Sequence, residues 1–188
     1  FRSYGKYHKY VGWIDVRDVI FQDNPMKHLP LRGLTAYTET AIFSLYHKKN
    51  VYLDWSINDW NYRCLANYEQ YQSYPPINLG VVMGLRESIL SALSILICEL
   101  QQCGGWDQFV FSRILYNDLI DIVPKVNIKL LETGNVANLC SNVDVDIDEH
   151  ENVINTLGKP YDIVHQYDRF ESLNELFSQR YPYNNEIP

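Results

Sequence analysis

Along the chain, the first clear apolar block is "YVGWI", Tyr10 to Ile14, whose aromatic and β-branched residues predict a strand. "QDNP", Gln22 to Pro25, sets Asp and Asn before Pro and predicts a turn. Residues 34–54 hold two short strand candidates, "LTAYTE" and "VYLDW", separated by "HKKN". A helix is expected over 56–68, with Ser56 as N-cap and Asp59 in the first turn. "SYPPINLGVVMG", Ser73 to Gly84, reads as a Pro-broken loop leading into a strand. The strongest periodicity comes next. Leu85, Ile89, Leu93, Leu96 and Leu100 recur at helical spacing and Ile95 and Ile97 widen the stripe, which predicts a helix over Leu85 to Gln102. Gly104-Gly105 ends it. A second helix is expected from Trp106 to Tyr116, a strand in "NIKLLET", a strand in "YDIVH" (Tyr161 to His165) and a terminal helix over Glu171 to Arg180. Strands alternate with helices without repeat or low-complexity linker, so residues 1–188 are expected to form one α/β domain.

The first strand breaks its own pattern. Asp15, Arg17 and Asp18 interrupt an apolar run that resumes with Val19, Ile20 and Phe21. Charges at a strand end often only decorate a turn. In α/β sheets, however, ligands gather at the carboxyl ends of strands. Two carboxylates there are hard oxygen ligands suited to Mg²⁺ or Mn²⁺, a metal usually shared with substrate phosphates. The D-x-D pattern of aspartate-nucleophile phosphatases is not met, because Arg17 stands where its second acid belongs.

Composition narrows the classes. The net charge is −7 and no basic stretch exceeds His47-Lys48-Lys49, which argues against a nucleic-acid binder. Apolar content of 46% suits a globular chain, and the longest apolar stretch, Ile89 to Cys98, is too short for a membrane span. Cys64, Cys98, Cys103 and Cys140 form no C-x-x-C pair, so they are expected as buried, reduced thiols. An oxidising compartment stays open.

Other constellations carry chemistry only in combination. In "INLGVVMG", Gly80 would let a ligand approach the backbone, although a buried strand alone explains it. Asp107 and Gln108 open a helix, either as favourable N-terminal charge or to contact sugar hydroxyls with Asp107 as base. His165 ends a strand and is followed by Gln166, Asp168 and Arg169; it is either a structural hydrogen-bonding residue or a ligand. Asp144, Asp146 and Asp148 fail as a calcium loop, since Glu149 and Asn155 occupy its glycine and glutamate positions, so a solvated acidic loop is expected.

Taken in order, "DVRDVIFQDNP", "INLGVVMGLRESIL", "GGWDQFVFSRILY" and "YDIVHQYDR" resemble the nucleotide-sugar-dependent glycosyltransferases of GT-A type, over about residues 10–180. The resemblance implies a GT-A-like, Rossmann-like mixed sheet flanked by helices. It implies a divalent metal, Mn²⁺ or Mg²⁺, held by Asp18 first, with Asp15 supporting and His165 completing the site. The apolar "VIF" after Asp18 favours that order, because the chain has D-x-x-D where such enzymes carry D-x-D. Asn78 and Gly80 would line the donor-sugar or acceptor cleft, Gln108 would contact sugar hydroxyls, and Arg17 would neutralise phosphate charge. Asp107 is the implied catalytic carboxylate. Such chains carry a base-binding strand-helix-strand region ahead of the acidic motif, whereas nine residues precede Tyr10 here, so an N-terminally truncated form is expected. The resemblance leaves both cytoplasm and Golgi lumen open as the compartment.

The function expected from these residues is transfer of a sugar from a nucleoside-diphosphate donor to a glycan or other hydroxyl acceptor. The rival from another class is a non-catalytic carbohydrate-binding or scaffolding descendant of the same fold. A metal-dependent phosphate-ester hydrolase is a third.

Overall fold

The computed structural model describes residues 8–29, 32–39, 74–104, 107–117, 125–139 and 144–182. Tyr10–Ile14 (β1) pairs antiparallel with Ile77–Leu85 (β4), Tyr10 opposite Leu85 and Ile14 opposite Val81. On the other side of β4 runs Leu34–Thr38 (β3), also antiparallel, and β3 pairs parallel with Val126–Lys129 (β5). This mixed sheet has the order β1-β4-β3-β5. Because β4 is central and covered on both faces, "INLGVVM" is buried throughout and shows no alternation of apolar and polar residues.

Arg86–Cys103 (α1) and Asp107–Asn117 (α2) cover one face of that sheet. Ile89 and Leu96 of α1 and Phe111 and Ile114 of α2 pack with Leu34 and Ile77. Ser112, buried on α2, accepts from the Ile77 N–H at 3.0 Å and donates to the Ile77 carbonyl at 3.2 Å, fixing α2 to the start of β4. Leu85 belongs to β4 rather than to the helix: its backbone is extended, with φ −62° and ψ 139°. Gly104 ends α1 with φ 65°, its N–H returning to the Leu100 carbonyl. Ile97 and Cys98 follow Leu96 outward at the helical turn of 100° per residue. The buried thiol expected at Cys98 is therefore a free, exposed one.

A second sheet has the order β2-β9-β6, formed by Val19–Phe21 (β2), Ile163–His165 (β9) and Val136–Asn138 (β6). β9 is antiparallel to β2 and parallel to β6. Asp146–Ile147 (β7) and Val153–Ile154 (β8) make a small hairpin. The acidic segment is solvated as expected, and it is partly ordered by this pairing rather than being loop throughout. Asp148 shapes the turn, its Oδ1 accepting from the N–H groups of His150 and Asn152. Glu171–Arg180 (α3) falls where its pattern predicts and buries Leu173 and Phe177 against this sheet.

The two sheets share a core of Tyr37, Val81, Met83, Val136 and Ile163. β4 serves both sides because its register against β3 slips: Ala36 faces Val82, yet Tyr37 faces Asn78. Leu79 and Val82 consequently join the core under the helices, while Val81 and Met83 join the core between the sheets. Gly80 sits inside this irregularity. "NIKLLET" is a strand only as far as Lys129 and then turns. The "VYLDW" strand, the 56–68 helix, Cys64 and Cys140 lie outside the described residues. The class is mixed α/β, and no helix among the described residues is long and apolar enough to cross a membrane.

Candidate metal centre

Residues 15–18 form the corner between the sheets. The Asp15 N–H donates to the Gly80 carbonyl at 2.8 Å, extending β1, and Val19 opens β2 directly opposite His165. Val16, at the tip, is 97% exposed, and the Asp18 side chain is only 12% exposed. The three-residue spacing of the acids is the length of this crossing. Asp15 closes one sheet, Asp18 opens the next, and both carboxylates reach His165 at the end of β9. His165 Nε2 lies 3.3 Å from Asp15 Oδ2 and 3.6 Å from Asp18 Oδ1. One ligand atom from each of the three residues falls within 4.8 Å of the others.

Two of the three residues, Asp18 and His165, are buried, and the site is electron-rich. His165 is 1% exposed, and its Nε2 makes no hydrogen bond among the described residues despite the nearby carboxylates. Burial holds the imidazole below its ordinary pKa, an effect that exceeds the opposite pull of Asp18 and Asp15, and Arg169 acts in the same direction as burial. The neutral ring is the form that binds metals. Two carboxylate oxygens and a buried, unpartnered ring nitrogen converging on one point is an arrangement that a cation stabilises.

The remaining residues singled out in the sequence lie at different distances from this cluster. Gly80 joins the cluster directly: a Cβ built there would overlap the His165 ring. Asn78 and Gln108 meet on Glu39, just past β3. Asn78 Nδ2 donates to Glu39 Oε1 at 3.2 Å and Gln108 Nε2 donates to the same oxygen at 2.7 Å. Asn78 Oδ1 accepts from the Gly80 N–H at 2.7 Å, which links this group to the cluster. Asp107 is exposed at the start of α2, where its Oδ1 accepts from the Gln108 N–H. Arg17 points outward and pairs with Asp168 at 3.5 Å.

Asn138 and Glu39 have no signal in the sequence, and Gln166 is marked there only by following His165. Asn138, at the end of β6, places its Oδ1 3.0 Å from His165 Nδ1. Glu39 gathers Asn78 and Gln108. Gln166 adopts the left-handed region at φ 65°, its N–H donating to the Asp18 carbonyl at 2.8 Å. With its amide oriented as its neighbours require, Gln166 donates to the Leu139 carbonyl at 3.1 Å and accepts from Arg169 Nη2 at 2.7 Å. Apart from the Gln166–Arg169 contact, these join segments far apart in the chain, and no local spacing encodes them.

No protein-family model matches the chain, and no curated protein or solved structure shows significant similarity to it.

Proposed function

We propose that the chain is a metal-dependent glycosyltransferase of GT-A type, transferring a sugar from a nucleoside-diphosphate donor to a hydroxyl acceptor. The observation that carries the metal is the buried, unpartnered His165 Nε2 facing the carboxylates of Asp15 and Asp18. A cation that binds its ligands at roughly 2.1 Å needs neighbouring ligand atoms about 3 to 4.2 Å apart, and the separations of 3.3 and 3.6 Å meet that. A mixed nitrogen and oxygen donor set suits Mn²⁺ better than the all-oxygen shell Mg²⁺ prefers. The reaction class rests on the resemblance of the four sequence segments.

When bound, such a metal supplies Lewis-acid stabilisation of a departing nucleoside diphosphate. The chain's own residues do the rest. Asp18 and His165 hold their ligand atoms in a dry corner, and Asp15 closes it from the solvent side. Arg17, exposed beside the corner, offers a guanidinium to phosphate oxygens. Gln108, the partly exposed member of the group, orients sugar hydroxyls, while the buried Asn78 helps to set Glu39 behind it. Asp107 is the proposed base for the acceptor hydroxyl, since its exposed carboxylate stands next to that group.

Calorimetry with Mn²⁺, followed by UDP, GDP and CDP with and without Mn²⁺, tests the reading. The expected result is Mn²⁺ binding and metal-dependent binding of one nucleoside diphosphate, with hydrolysis or transfer of its sugar conjugate. Unchanged Mn²⁺ binding in Asp18→Ala or His165→Ala would sink the metal assignment. Glycan binding without metal dependence or turnover would point instead to a carbohydrate-binding descendant of the fold.

A further inference from the structure

We infer that Asn138 is the positioning residue of the metal centre: it fixes the tautomer and direction of His165 so that Nε2 is presented, unprotonated, to Asp15 and Asp18. This rests on the metal reading above and adds a residue that the sequence motifs do not contain. Asn138 is fully buried at the end of β6, which runs parallel to β9, with Asn138 in register with His165. Its amide nitrogen faces two backbone carbonyls, Tyr37 O at 3.4 Å and Thr38 O at 3.3 Å. Carbonyls only accept, so this end of the amide is the NH₂ and the other end is the oxygen. That oxygen lies 3.0 Å from His165 Nδ1. An amide oxygen also only accepts, so Nδ1 carries the ring proton. In a neutral imidazole the other nitrogen, Nε2, then holds a lone pair. This is the nitrogen 3.3 Å from Asp15 Oδ2 and 3.6 Å from Asp18 Oδ1.

The same amide therefore reads the end of β3 with its nitrogen and sets the histidine with its oxygen. Flipping the amide would break both carbonyl contacts and turn its NH₂ towards Nδ1, which would then have to accept and leave the ring proton on Nε2, so the tautomer is tied to the packing of the two sheets. Gly80 blocks the ring's other side, because only a residue without Cβ fits there. Outer-shell partners of a ligating histidine commonly tune metal affinity by 10–100-fold.

The experiment uses the whole chain, wild type, Asn138→Leu and Asn138→Asp, with ¹⁵N ring spectra of His165 in metal-free protein and Mn²⁺ titrations. In the wild type, Nδ1 is expected to be protonated and Nε2 pyridine-like. Asn138→Leu removes the acceptor at similar volume, and is expected to bind Mn²⁺ roughly 10–100-fold more weakly with its ring nitrogens shifted towards a tautomer mixture. Asn138→Asp keeps an acceptor at Nδ1 and is expected to retain the Nδ1–H tautomer and to bind Mn²⁺ more tightly than Asn138→Leu. A wild-type His165 protonated on Nε2 would overturn the inference whatever the variants do. So would a folded Asn138→Leu protein with wild-type Mn²⁺ affinity. Absence of Mn²⁺ binding by the wild type would instead overturn the metal reading, and the ring spectra would still decide the role of Asn138.

Discussion

Asp15 and Asp18 are the same residue type three positions apart, yet their surroundings set them apart. The Asp15 side chain is 53% exposed and that of Asp18 12%. Water can replace much of what Asp15 offers, whereas nothing replaces Asp18 in its buried corner. Asp18→Asn is therefore expected to weaken Mn²⁺ binding by roughly 100-fold or more, beyond the 10–100-fold typical of outer-shell changes, and Asp15→Asn by less. Titration of both variants checks the order. The same Asp18→Asn change is expected to raise the metal-free melting temperature, because an amide N–H can donate to Nε2 where a carboxylate repels it, a gain of about 1 kcal/mol. Thermal melts in chelator measure it. His165 gives the pH dependence. Its folded pKa is lowered from 6.5, so below that value the unfolded chain binds the proton more readily than the native one. Its contribution to stability is full above 6.5 and is lost as pH falls towards the lowered folded value. The melting temperature of metal-free protein should drop from about pH 7 to about pH 5, with a shallower drop in His165→Gln.

At the scale of elements, β4 carries the most constraint. It pairs with both neighbours, faces two cores and holds Gly80 against the histidine. Gly80→Ala is expected to cost about 1–3 kcal/mol, the usual penalty for overpacking, and to weaken Mn²⁺ binding by displacing the ring. Denaturant unfolding and a Mn²⁺ titration read the two effects separately; a variant with unchanged stability and affinity would refute the close packing. Helix periodicity was the most legible feature here. α1 and α3 lie within a residue of their expected bounds, because a repeating apolar stripe is a local property of the chain. Ile97 shows the limit of that legibility. It widens the apolar stripe but is 55% exposed, beside a groove with Trp13 and Leu93, since the sheet under α1 ends at β1 among the described residues.

Across the whole molecule, the candidate site lies on the seam of two sheets. Asp15 ends the first, Asp18 and His165 belong to the second, and Asn138 ties the second to the last residues of β3. A cation bound here would bind the folded chain and not the unfolded one. Saturating Mn²⁺ at 100 times its Kd is expected to stabilise the protein by about 2.7 kcal/mol. The melting temperature should therefore rise with Mn²⁺ in the wild type and rise far less in Asp18→Asn, which scanning calorimetry at fixed pH resolves.

Only the family resemblance joined His165 to Asp15 and Asp18; the amino-acid sequence by itself determined the α/β class, the main helices, the strands beginning at Tyr10 and ending at His165, and a pair of acids at a strand end. Those rest on local rules: apolar periodicity, turn chemistry and acids placed at a strand end. Only the tertiary structure decided that Asp18 is buried and Asp15 is not, that Gly80 clears space for a ring, and that Asn138 and Glu39 take part. Each of these depends on contacts between positions far apart in the chain. His165 and Asp18 are 147 residues apart in the sequence and neighbours in space, and the spacing within a single segment carries no record of such a meeting.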